Sequence, residues 1–146
     1  MPKFVSLAPK IFVVAILAAG AAKVAWTAFA PEGQGASSPS GLVIPAYSAK
    51  AATGKRTFDA NCAQCHGTNA LGSEKGPPLI HQIYNPGHHA DESFFRAVKG
   101  GVRRHHWNFG DMPPQPQVKN TQVEEIVAYV RQLQAANGIV WQEHRM

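Results

Sequence analysis

Residues 61–67 read "NCAQCHG" and hold both cysteines, Cys62 and Cys65, of a chain of 146 residues. Two thiols three positions apart, with His66 directly behind the second, admit a small set of chemical uses. A disulfide between them closes almost no loop and so removes little entropy from the unfolded chain. A redox pair of the thioredoxin kind follows a strand and opens a helix of an α/β fold. A zinc site needs about four ligands, so histidines from elsewhere in the chain would have to complete it.

The flanking sequence weighs these uses. Upstream, Ser48 is placed to cap a helix through "AKAATGKRTFDANC", with Ala51, Lys55, Phe58 and Cys62 along one side. Gly54 interrupts that helix at a propensity cost of up to about 1 kcal/mol, which suggests either close approach by another element or mere tolerance. Downstream, Pro77 and Pro78 exclude a regular helix interior. Asp91 opens a short helix with Phe94, Phe95 and Val98 as its apolar side and Gly100-Gly101 as its stop. Thr121 and Glu124 have capping-box spacing. Val123, Ile126, Val127, Val130 and Leu133 then repeat at helical period beside Tyr129, up to Asn137-Gly138. Val43-Ile44 and residues 138–141 are too short to build a sheet. The pattern predicts an all-α domain whose coils, 67–90 and 102–120, exceed the usual connections and need something to wrap.

Without a sheet, the thioredoxin reading loses its setting. Covalent attachment of haem remains, with Cys-x-x-Cys-His as its signature: each thiol adds across one vinyl group and the histidine reaches the iron. A second axial ligand is then expected. Met112, in "FGDMPP", is the one methionine between the first and last residues of the chain. It lies in polar, proline-bounded coil rather than on an apolar helical face, and Pro113-Pro114 stiffen its presentation. His105 and His106 are its rivals for the iron.

The ordered set Cys62, Cys65, His66, Gly67, then Gly76-Pro77-Pro78-Leu79, then Met112-Pro113 resembles the class I c-type cytochromes over roughly residues 48–137. The resemblance implies a small cytochrome c-like domain wrapped around one covalent haem c, with His66 and Met112 as iron ligands. It implies further that the Pro77 carbonyl accepts the Nδ1 proton of His66 and that Leu79 packs on the ring. First and last helices would cross at a glycine and aromatics, here Gly54 and Phe58 meeting Tyr129 and Val130. Trp107 is expected as haem packing or a propionate donor. Arg103 and Arg104 divide between propionate contact and solvated surface. His81, His88 and His89 form a second histidine patch, and a copper or zinc site built with His105 or His106 is one reading of it, against which adjacent histidines point differently and no spacing anchors a metal. Surface residues that charge between pH 5 and 8 are the other reading.

The N-terminus has a different character. Residues 11–30 are uncharged apart from Lys23, with Lys3 and Lys10 ahead of them. Twenty helical residues suffice for a hydrocarbon core of roughly 30 Å. Residues 1–30 are therefore expected as a transmembrane or signal helix, 31–47 as a flexible Pro/Gly/Ser-rich linker and 48–146 as the haem domain. The positive flank predicts a bacterial inner-membrane protein with its haem domain in the periplasm, or a soluble periplasmic form if the segment is cleaved. Beyond residue 30 there are eleven Lys or Arg against nine Asp or Glu, too small and dispersed a surplus for nucleic-acid binding. The expected activity is one-electron transfer between redox protein partners, with no small-molecule substrate and no catalysis of its own. A fixed haem-bearing subunit of a larger respiratory or dehydrogenase complex is the alternative.

Overall fold

Four helices and two 3-10 turns follow one another through a computed structural model that describes residues 41–143. The expected membrane segment lies outside these residues, as does the first part of the expected linker. Among the described residues no helix is long and apolar enough to cross a membrane.

Helix α1, Ala49–Asn61, begins where the Ser48 Oγ accepts the Ala51 N–H at 3.3 Å. Its buried side consists of Ala51, Gly54 and Phe58. A single turn, α2 (Ala63–His66), follows at once and ends at Gly67, whose φ of 74° turns the chain away. The 3-10 turns Thr68–Ala70 and Gln82–Tyr84 punctuate the coil that leads to α3, Asp91–Gly100. The last helix, α4 (Asn120–Ala136), carries the core on Val123, Ile126, Val127, Tyr129, Val130 and Leu133. Its start differs from the expected capping box. The Gln122 side chain accepts the Lys119 N–H at 2.9 Å, so the box is formed two residues earlier than Thr121 and Glu124 place it. The same glutamine-type reach-back is satisfied by whichever residue stands at the third helical position, and that register is set by where the preceding coil docks.

Helices α1 and α4 cross at Gly54, as expected, but the partner is main chain rather than an aromatic ring. A Cβ on Gly54 would lie 1.8 Å from the Glu125 carbonyl oxygen. One turn further along, Phe58 packs on Tyr129 with ring centroids 5.4 Å apart, and Tyr47 meets the same ring edge-on at 5.3 Å.

Tyr47 belongs to the stretch expected as linker, and here the boundary needs correction. Leu42 is buried, Ile44 and Tyr47 pack on the core, and the Asn137 side chain serves both main-chain groups of Val43: it accepts the N–H at 2.9 Å and donates to the carbonyl at 2.8 Å. The packed domain thus begins by Leu42, not at Ser48. Apolar residues scattered among Gly, Pro and Ser have no period to read, yet they bury wherever a partner surface exists.

Gln134 is the polar centre of this core. It is completely buried, and its Nε2 donates to the carbonyls of Leu79 at 2.8 Å and Tyr84 at 3.1 Å while its Oε1 accepts from Arg131 at 2.7 Å. Arg131 continues the lattice to the Tyr84 carbonyl at 2.9 Å, to Asp91 at 2.8 Å and to the His89 carbonyl. Two side chains of α4 thereby hold the otherwise irregular segment 79–91 in place. Gln134→Leu, close in volume, is expected to lower stability by about 2–4 kcal/mol because it strands the Leu79 carbonyl and one guanidinium donor and leaves the Tyr84 carbonyl only its Arg131 bond. The denaturant midpoint of the haem-loaded protein measures this, and a loss under about 1 kcal/mol would show the lattice to be incidental.

Candidate functional site

Helical backbone makes the Cys62–His66 constellation converge. The Cys62 N–H closes onto Phe58 at 2.8 Å and the His66 N–H onto Cys62 at 2.9 Å, so Cys62, Cys65 and His66 stand at i, i+3 and i+4 on one face. Both thiols are free, Cys62 half-buried and Cys65 exposed. Burial pushes the Cys62 thiol up to about 11, with Cys65 acting in the same direction, so at pH 7 it is a neutral S–H.

His66 Nδ1 lies 2.9 Å from the Pro77 carbonyl oxygen. A carbonyl only accepts, so Nδ1 carries the proton and the lone pair is on Nε2. Burial holds this imidazole below its ordinary pKa, against the opposing pull of the Pro77 bond. Pro77 is positioned by close backbone packing: a Cβ on Gly76 would meet the Cys65 carbonyl at 2.9 Å and one on Gly72 the Pro78 nitrogen at 2.8 Å.

These groups border a cavity of about 690 Å³. Cys62, His66, Pro77 and Leu79 form one part of its wall, and Met112 and Trp107 belong to the wall as well. Met112 is placed by a two-bond bridge to Val102, N–H to carbonyl in both directions at 2.9 Å. That bridge needs Gly101, whose φ is 74° and whose hypothetical Cβ would fall 2.4 Å from the Met112 carbonyl oxygen. Gly101, which ends α3, is thus also what lets the Met112 segment approach.

Trp107 is half-buried and donates its indole N–H to the Tyr84 hydroxyl at 3.1 Å. Its one donor is committed inside the protein, which leaves its ring face for packing. Arg103 and Arg104 are both exposed, and the Arg104 main-chain N–H is held by Asp111 at 2.9 Å. Tyr84, Phe94, Val98 and Ile126 also line the cavity. Sequence patterning marks the last three only as apolar helix faces, and no signal singles out Tyr84, since its role depends on which residue Trp107 meets.

The wall fits a haem. It offers a thiol and an imidazole lone pair from one face of a helix end, a thioether from a separate strand, and a mainly apolar lining between them. His105 and His106, the rival ligands, line this cavity too: His106 Nε2 lies 3.3 Å from His88 Nε2, while His105 Nδ1 donates to the Arg103 carbonyl at 2.8 Å and so keeps its lone pair on Nε2.

Comparison with known proteins agrees with this geometry. The family model described as Cytochrome c matches residues 51–134. Among solved structures, the chain is similar to the crystal structure of c-type cytochrome XoxG from Methylobacterium extorquens AM1, with a TM-score of 0.50 and 20% identity over 74% of this chain and 71% of that one. At that identity the likeness speaks for the fold. No curated protein matches the chain.

Proposed function

The chain belongs to the cytochrome c family, and from that premise we propose that His66 and Met112 would both hold the iron of a single haem, making the domain a one-electron carrier between redox proteins at the periplasmic face of a membrane. The family assignment carries the coarser part: the domain binds haem c covalently through Cys62, Cys65 and His66, and it transfers electrons rather than catalysing bond chemistry. The observation that supports the finer reading is the placement of Met112 and His66 on the wall of one cavity, with the His66 Nε2 lone pair left for a metal by the Pro77 bond.

Haem supplies the couple between ferric and ferrous iron. The chain's residues set its terms. The Cys62 and Cys65 thiols would hold the haem by addition of S–H across its two vinyl groups, which needs no leaving group and no change in electron count. His66, fixed in one tautomer, donates its Nε2 lone pair without losing a proton. Met112 contributes a soft thioether, which stabilises ferrous iron better than a second imidazole and raises the potential. A haem held by both His66 and Met112 would offer no easy place for a small molecule to bind. Leu79, Phe94, Val98 and Ile126 keep water away, so little solvent has to reorganise when charge changes. Residues 11–30 would tether the domain, and the remaining Gly/Ser-rich stretch before Leu42 would let it turn between partners.

Intact-mass measurement on protein extracted from its native membrane tests the reading. One haem per chain with residues 1–30 retained is expected, together with a single-electron redox titration and a ferrous form that resists carbon monoxide. A haem-free protein, or rapid carbon monoxide binding by the resting ferrous form, would sink it.

A further inference from the structure

We propose that His88, His89 and His106 form a binding site for one divalent cation of the zinc or copper kind, which clamps together the two coil segments that border the haem cavity. Each of the three offers a ring nitrogen, and these atoms lie within 4.8 Å of one another. The expectation that adjacent histidines 88 and 89 diverge fails here because they sit on a tight turn, which brings their ring centroids to 4.7 Å. His106 arrives from a different segment.

The distance between His88 Nε2 and His106 Nε2 is 3.3 Å. A tetrahedral zinc with bonds of about 2.0–2.1 Å holds its ligand nitrogens roughly 3.3 Å apart, so this pair already has the edge length of such a site. A hydrogen bond between the rings is the alternative, and it leaves one proton serving two nitrogens. His89 is oriented as a ligand is: its Nδ1 donates to the Ile83 carbonyl at 2.8 Å, which fixes the tautomer and leaves the lone pair on Nε2.

The turn that bears His88 and His89 is held independently of any metal. The Asn85 side chain is buried and its Oδ1 accepts from Gly87 at 2.9 Å and from His88 at 3.2 Å, while Arg131 grips the carbonyls of Tyr84 and His89. A metal therefore meets two of its ligands already placed, and ordering cost falls mainly on the coil that carries His106. Three imidazoles select borderline d-block cations over calcium or magnesium, which take oxygen. An adjoining cavity, bordered by Gln82, Gln142 and Glu143, leaves room for water or a carboxylate as a fourth ligand.

The clamp gives the long coils a second fastening besides the Gln134 and Arg131 lattice. It does not depend on the assignment of Met112, because its ligands are distinct from the iron's. The test uses haem-loaded full-length protein, zinc ions and native mass spectrometry, with haem content read separately by absorption. One zinc per chain at micromolar concentration is expected, with a thermal midpoint that rises with zinc. His88→Ala and His106→Ala should each weaken uptake more than about tenfold and abolish the rise. The paired Gln variants repeat the test with side-chain bulk preserved, should an Ala variant fail to fold. In the copper-loaded protein, splitting from several imidazole nitrogens should appear in the electron paramagnetic resonance spectrum. No zinc uptake at micromolar concentration, or uptake undiminished in both His88 and His106 variants, overturns the proposal.

Discussion

Met112→Ala is expected to leave the haem attached and the helices formed while it opens the iron. The two thioether bonds and the His66 bond do not involve residue 112, so intact mass should fall only by the side-chain difference. On the proposed ligation, the weak long-wavelength sulfur-to-iron absorption of the ferric protein should disappear. The midpoint potential should drop by roughly 0.1–0.3 V, a fraction of the ~0.8 V over which axial ligands move haem potentials. Carbon monoxide should then bind the ferrous form readily. Because His105 and His106 line the same cavity, a low-spin spectrum of paired imidazoles in the variant would reveal that one of them swings to the iron. Unchanged absorption and potential would refute Met112 as a ligand. The main-chain bridge between Val102 and Met112 uses no side chain, so the strand itself should stay in place.

The second large effect is on the fold. Gly54→Val places a Cβ 1.8 Å from the Glu125 oxygen, 2.2 Å from its carbon and 2.8 Å from the Ile126 nitrogen. All three are helix backbone, which cannot rotate aside as a side chain tip can. Helices α1 and α4 must separate, and the Phe58–Tyr129 and Tyr47–Tyr129 contacts part with them. A loss of more than about 4 kcal/mol is expected, comparable to the whole stability of many small domains. Covalent attachment makes the expected outcome distinctive: haem mass is retained while helical circular dichroism and the proposed His66–Met112 ligation are lost together. A variant that keeps a native denaturant midpoint would mean that the crossing is looser than these distances require.

Much of this architecture was legible beforehand because local patterns carry it. The period of Val123, Ile126, Val127, Val130 and Leu133 gives α4 its buried face, Ser48 its cap to α1, and Gly100-Gly101 the end of α3. Gly54 signalled a close approach, but not that its partner would be the Glu125 backbone. Gln134 gave no signal at all. A polar residue beside Leu133 reads as solvent-facing, and its burial follows from carbonyls of a coil some fifty positions away. Likewise Leu42, Ile44 and Tyr47 read as linker, because composition averages over seventeen residues while burial depends on the surface each side chain finds.

The amino-acid order by itself determined the chemistry of attachment. Cysteine, cysteine and histidine at i, i+3 and i+4 must share a face once that stretch is helical, since the spacing of the α-helix leaves no other arrangement. Tertiary structure alone decided what meets that face and what surrounds it: Met112 on the same cavity wall, Trp107 bonded to Tyr84, and three histidines from two segments within one metal's reach. Those pairings join positions far apart in the chain, and the free energy that selects them comes from packing the whole core, which no local window contains.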